Sequence, residues 1–334
     1  MTSLRCRRPR LSERPALSER GQAWRGYALV LIAAASWAAG GLMAKWLFSP
    51  LDSLTASWPL PPPGIELDPA VLSGLRALFA AGILIIYLVI ARRGELKVPV
   101  SRLPFLIVFG VLGLAMVHFA YFKAISYTNV ATAILLEYLA PVIVLIFSVV
   151  FLKERLTWTL PLGVALSVTG CALFVGAIGG EGLAVSPEGI AWGLAAAGFF
   201  AGYSLMGDWG SKRFSAWTLL AYGLLFAALF WLIYLGPLTV WAPLDDPTLL
   251  AVVILMAIVS TIIPFGAFLA ALHYIDPTRA LVTSTLEPVI AGVAAFALFG
   301  ESFSATQLAG ALLVLVAIVL VQRPAATHEP IPLG

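Results

Sequence analysis

The chain has 334 residues, 61% of them hydrophobic and 11% charged, against roughly a quarter charged in an ordinary soluble domain. A single soluble core stops growing with chain length and could not bury so much apolar sequence, which excludes a soluble enzyme or binding domain. The formal net charge of +3 and the two cysteines, Cys6 and Cys171, point to neither a disulfide framework nor a metal cluster.

In chain order, the first 24 residues read as a disordered basic tail carrying Arg5, Arg7, Arg8, Arg10, Arg14 and Arg20. Such a run is read as a cytoplasmic flank that orients the first membrane helix, not as a nucleic-acid surface. The apolar stretch that follows is too long for a cleaved signal, and further apolar stretches come after it. Ten membrane spans are expected, at 25–46, 70–91, 103–125, 128–151, 157–177, 188–208, 216–238, 247–273, 278–299 and 303–322. Each approaches the roughly 20 residues a helix needs to cross about 30 Å of hydrocarbon. Pro, Gly and charge mark the breaks, as at Arg92-Arg93-Gly94 and Asp245-Asp246-Pro247. Lys and Arg fall almost wholly on one side of this arrangement, with Asp52, Glu66, Asp68, Glu181, Asp245, Asp246 and Glu301 on the other. Both termini are therefore expected in the cytoplasm, in a multi-pass protein of the inner membrane.

The second half resembles the first. At an offset of 147 residues Tyr127 falls on Tyr274, Pro141 on Pro288, Glu154 on Glu301 and Gly163 on Gly310. The first and sixth spans match at a different offset, Gly26 on Gly189 and Leu42-Met43 on Leu205-Met206. A unit of five spans is odd, so its second copy enters the membrane inverted. The expected fold is thus all-α, ten transmembrane helices in two inverted five-helix repeats, 25–177 and 188–322, followed by a cytoplasmic tail, 323–334. Inverted repeats are the architecture of alternating-access carriers, with the substrate site near midplane at the repeat interface.

The stretch Leu136-Glu137-Tyr138-Leu139-Ala140-Pro141-Val142, with Leu152-Lys153-Glu154-Arg155-Leu156-Thr157 and Gly163, resembles the EamA signature of the drug/metabolite transporter superfamily. A second copy, Leu286-Glu287-Pro288-Val289, Phe299-Gly300-Glu301 and Gly310, is similar. The resemblance runs from about residue 25 to 322. It implies export of small metabolites, amino-acid-like compounds or drugs, and a cavity lined by the first, third, fourth, sixth, eighth and ninth spans.

Two carboxylates, Glu137 and Glu287, fall near midplane. Burying a carboxylate there costs several kcal/mol by most estimates. Each either carries a proton or binds a substrate amine, or it is a protonated acid bonding a neighbouring helix beside Pro141 or Pro288. For Glu287 the second reading is preferred, because the adjacent proline frees a backbone carbonyl for it to satisfy. Arg76, two turns into the second span, either pairs with Glu137, contacts an anionic substrate group or snorkels outward. His118 is read as a helix-to-helix hydrogen bond or a proton relay. Trp37, Phe200 and Tyr203, with the hydroxyls of Tyr121, Tyr127 and Tyr274, either shape a pocket for an apolar moiety or simply pack. Pro141, Pro264 and Pro288 interrupt helices at membrane depth. Glu154 and Glu301 are read as structural or gating residues. The steps Gly189-Gly193 and Gly198-Gly202 are expected to let the sixth helix pack closely or rock.

No phosphate loop, metal quartet or HExxH occurs in the sequence, so no cofactor or metal is expected. The leading function is a secondary transporter, an exporter of small molecules, working in lipid as a monomer or homodimer. The alternative is an intramembrane enzyme acting on lipids or isoprenoids, which should gather acids, His or Arg at one membrane face.

Overall fold

The structure is a computed structural model that describes residues 19–48, 67–128, 130–153, 157–178, 186–299 and 303–322. Among the described residues there are helices and turns and no β-strand. In chain order they are α1 (Glu19–Phe48), α2 (Pro69–Ala91), α3 (Leu103–Val108), a π-helical turn Phe109–Ala115 and α4 (Met116–Tyr127). Next come α5 (Val130–Glu137), α6 (Ala140–Val150), α7 (Thr159–Phe174), α8 (Pro187–Ser211), α9 (Ala216–Leu235) and α10 (Pro237–Trp241). The series ends with α11 (Pro247–Ala257), a second π-helical turn Ile258–Ile262, α12 (Ile263–Ala271), α13 (Pro277–Ser284), α14 (Glu287–Phe299) and α15 (Ala305–Val321).

Seven helical stretches are long and apolar enough to cross a membrane, counting α3 to α4, α5 to α6 and α11 to α12 each as one. Helices α7 and α15 are shorter apolar helices of 16 and 17 residues. The stretch expected at 278–299 is two pieces, α13 and α14, parted by a turn at Thr285–Leu286.

Helix starts follow simple chemistry. Asp68, Ser186, Asp246 and Asp276 each precede a proline and accept a hydrogen bond from a backbone N–H of the first turn. The side-chain oxygen satisfies an orphan donor, while the proline supplies helical φ where no N–H is needed. Ser304 and Gln307 form a reciprocal capping box at α15. Helix α1 begins at Glu19, inside the segment expected to be a tail; residues 1–18 and 323–334 lie outside the described residues. Helix α9 ends at Leu235, three residues before the expected boundary, because Gly236 takes φ +80° and Pro237 opens a new short helix.

Helix α7 packs along α15, α4 along α8, α2 along α9, and α1 along α12. The α7–α15 seam is a backbone-to-backbone approach: a Cβ on Gly310 would lie 2.6 Å from the Gly170 carbonyl oxygen, and one on Gly170 2.8 Å from that of Gly310. Gly189 and Gly193 likewise let α8 close on Thr128 and Leu136. Gly198 and Gly202, expected to do the same, meet nothing within 4 Å of where a Cβ would stand. The Arg93–Leu96 segment is tied to α9, with Tyr222 donating to the Leu96 carbonyl at 2.8 Å and Thr218 to the Glu95 carboxylate at 2.9 Å.

Candidate functional site

Pro264 has no N–H, so the carbonyl of Ser260 four residues back cannot receive its usual helix bond. The second π turn lies in the same place and offsets the ladder further. Arg76 of α2 uses what this exposes. Its Nη2 donates to the Ser260 carbonyl at 2.9 Å, and Nε and Nη2 donate to Thr261 Oγ1 at 3.2 and 3.1 Å. Nη2 also lies 3.4 Å from His118 Nε2, and the guanidinium stands 5.6 Å from the Phe122 ring centre. Arg76 is only 6% exposed. It neither snorkels outward nor pairs with Glu137: the polar groups released by the broken helix hold it inside, and its bonded partners among the described residues are all neutral.

His118 is a bridge between helices. Its Nδ1 lies 2.9 Å from the Leu114 carbonyl, which can only accept, so Nδ1 carries the proton and Nε2 faces Arg76 as the acceptor. Its ring packs 4.9 Å from Phe265. Phe265 stands 5.3 Å from Trp37, which meets Phe200 and Phe268, each at 5.8 Å. Tyr203 closes the cluster, 5.4 Å from Phe265, with its hydroxyl donating to the Phe265 carbonyl at 3.3 Å. The structure thus gathers the expected Trp37, Phe200, Tyr203 and His118 into one aromatic group joined to Arg76. Phe265 and Phe268 belong to it as well.

Each of the two acids sits at a helix interruption. Glu137 ends α5 before a turn at Tyr138–Leu139, and Glu287 opens α14 after the turn at Thr285–Leu286. Tyr138, 2% exposed, joins the two breaks, its hydroxyl reaching Glu287 Oε2 at 2.7 Å and the Ser284 carbonyl at 2.8 Å. The Ser284 carbonyl is the one freed by Pro288, so Tyr138, and not Glu287, satisfies it. The Glu137 carboxyl makes no hydrogen bond among the described residues, and the residue is half-buried. The two carboxyls and Tyr121 lie within electrostatic range of one another.

Other expected site residues fall elsewhere. Tyr127 and Tyr274 are 47% and 40% exposed, at the ends of α4 and α12, away from the aromatic group. Tyr127 is the last residue of α4 and Tyr274 lies in the turn after α12, where both rings reach the surface. Pro141 and Pro288 are buried and begin the second half of each broken helix. Glu154 and Glu301 lie outside the described residues. Asp208 pairs with Lys212 at 2.7 Å, and Asp276 with Arg279 at 3.1 Å. Among the described residues no group of three or more His, Cys, Asp or Glu could hold a metal ion.

Long apolar helices packed around a charged and aromatic interior define a multi-pass membrane protein, and comparison with known proteins gives its family. The description "EamA-like transporter family" matches residues 64–176 and 187–323, and the chain belongs to that family. A protein of Archaeoglobus fulgidus described as an uncharacterized transporter is 30% identical over 220 residues, covering 64% of this chain and 76% of its own. The inner membrane transporter YicL of Salmonella typhimurium, also described as uncharacterized, is 23% identical over 308 residues, covering 90% of this chain and 96% of its own. A solved crystal structure superposes with a TM-score of 0.69 at 21% identity, covering 89% of this chain and 96% of the other, which shows a shared fold. The protein is a membrane transporter, with a small-molecule substrate.

Proposed function

We propose that the protein is a secondary transporter that exports small metabolites, amino-acid-like compounds or drugs by alternating access, with ten spans in two inverted repeats, 25–177 and 188–322. The contacts support the repeats because they come in matched pairs. Helix α1 packs on α12 as α8 packs on α4; α1 packs on α13 and α14 as α8 packs on α5 and α6. Both π turns fall in the third span of their half, and both helix breaks in the fourth. Trp37 and Phe200 hold equivalent positions and touch each other, as residues on a pseudo-two-fold axis must.

The observation that carries the function is the Trp37–Phe200 contact between the two proposed halves, with His118 and Arg76 joined to it through Phe265. Inverted-repeat carriers bind substrate at that place, and ionisable residues at membrane depth are functional by default. Both termini are cytoplasmic in this reading, following the distribution of Lys and Arg. Glu137 is the proton carrier, because it is half-buried and hydrogen-bonded to no described residue, whereas Glu287 is engaged by Tyr138. The test is uptake and counterflow in proteoliposomes with a panel of amino acids and drugs, with and without a pH gradient. Gradient-dependent flux is expected. Flux indifferent to the gradient removes the proton role of Glu137, and no flux of any solute reopens the enzyme reading.

A further inference from the structure

We propose that Arg76, with Trp231 and His118 around it, forms a binding site for a compact monoanion, either a free halide or the carboxylate of a transported solute. Arg76 is 6% exposed, and each of its bonded partners, Thr261 Oγ1, the Ser260 carbonyl and His118 Nε2, is neutral. Among the described residues no carboxylate lies within ion-pairing reach of it. A guanidinium taken out of water without an opposite charge is a costly arrangement. Its Nη1 donates to none of the described residues, so two N–H groups are unspent.

Trp231 supplies a second, independent observation. It is 1% exposed, and its Nε1 is buried with no acceptor among the described residues. Buried indole N–H groups normally find one. Arg76 and Trp231 line the same cavity, together with Ser73, His118 and Thr261, and its volume is about 10 Å³. That is room for one water-sized occupant. One oxygen of a carboxylate is of that order; a chloride, larger than a water, enters only if the lining yields slightly, and a phosphate or sulfate is excluded. The remaining wall is apolar, Leu114 and Leu224 among it, and a dry wall strengthens the field of the guanidinium. Size and sign together select a compact monoanion.

The site contacts the aromatic group through His118 and Phe265, so a solute held there by its carboxylate could lay an apolar body against Trp37. This second source of the anion rests on the transporter reading; the free ion does not.

The experiment is thermal unfolding of the purified full chain in detergent. Sodium chloride replaces the sodium salt of a bulky sulfonate at constant ionic strength, and benzoate is compared separately with benzamide. A saturable rise with chloride identifies a free ion as the occupant. A rise with benzoate but not with benzamide or chloride identifies a solute carboxylate. Either response should be lost in Arg76→Gln and weakened about ten- to hundredfold in Trp231→Phe, the worth of one hydrogen bond to a charged group. If Arg76→Gln fails to fold, Arg76→Lys and Trp231→Phe carry the test, the lysine retaining binding within about tenfold. No response to either anion, or a response unchanged in Trp231→Phe or in a folded Arg76→Gln, overturns the proposal. Binding without flux in proteoliposomes would remove the transporter reading alone, and flux without any anion response would remove this one alone.

Discussion

Helices α2 and α9 each pack against a π turn, and the two contacts are built from opposite materials. At one, Arg76 reaches Thr261 and the Ser260 carbonyl across the turn Ile258–Ile262. At the other, Gly223 packs against the turn Phe109–Ala115, with the Leu114 side chain 2.6 Å and the Phe109 ring 3.0 Å from where its Cβ would stand. Arg76 and Gly223 are separated by the same 147 residues as Leu114 and Thr261, so in the proposed repeat the pairs occupy matching places. The same backbone deformation has been used once to bring helices into backbone contact and once to open polar groups to a charge. Stability should reside in the glycine contact and recognition in the arginine contact.

The largest effect is expected where the dry contact is broken. A side chain on Gly110 would begin 2.6 Å from the Gly223 carbonyl oxygen and 2.7 Å from Phe226 Cβ. Gly110→Leu should therefore lose at least about 1–3 kcal/mol, or fail to yield a monodisperse protein. An unchanged unfolding midpoint would break the comparison at once.

Next comes Arg76→Met, for which the two readouts should part. Removing the guanidinium relieves a costly buried charge but leaves the Ser260 carbonyl and His118 Nε2 without their donor, at about 1–3 kcal/mol, so the two effects should largely cancel and the midpoint should move little. Flux should fall about ten- to hundredfold, the range of one charge-assisted hydrogen bond. A large drop in stability with flux per folded molecule intact would reverse the assignment.

Exchanging the materials sharpens it further. Thr261→Val removes the hydroxyl that accepts from Arg76 and should lower stability by about 1–2 kcal/mol. Leu114→Thr puts an unmatched hydroxyl into the dry contact and should cost a similar amount, about 1–3 kcal/mol. Chemical denaturation of the two single variants measures both; a harmless Leu114→Thr would mean that the contact is less dry than its packing suggests. The smallest effect on folding is expected from Glu137→Gln, since no described residue is bonded to that carboxyl. Its mark should be loss of gradient dependence in proteoliposomes, and retained dependence excludes it as the carrier.

The helical stretches could be read from the sequence because lipid imposes a length and a composition that few soluble sequences share. The broken helices were visible too, since Pro141, Pro264 and Pro288 interrupt apolar runs. The π turns were not. Phe109–Ala115 contains no proline, and nothing local separates an i→i+5 turn from an ordinary helix. The aromatic group was legible only in part: internal repetition singled out Trp37 and Phe200, with Tyr203 a turn away, and His118 stood out separately as an ionisable group in a span, whereas Phe265 and Phe268 are ordinary phenylalanines in an apolar run. Arg76 shows the limit most clearly. Its depth was evident, but its partners Ser260 and Thr261 lie 184 and 185 residues away, and only packing could decide among the three fates open to it. Tyr138 lay within the motif that carried the family resemblance. Its hydroxyl partner Ser284 is 146 residues distant, so its bridging role could not be inferred.

The α7–α15 seam has a consequence for the membrane itself. At about 1.5 Å per residue these neighbouring helices of 16 and 17 residues are roughly 24–26 Å long, short of a hydrocarbon layer about 30 Å thick. Two short helices side by side give that flank of the protein a lower apolar height than the rest. Lipid there must thin, or the flank must be screened by another surface, at a penalty of fractions of a kcal/mol per Å of mismatch. Acyl-chain length thus becomes a variable acting on this protein, pressing hardest at the seam where backbone touches backbone.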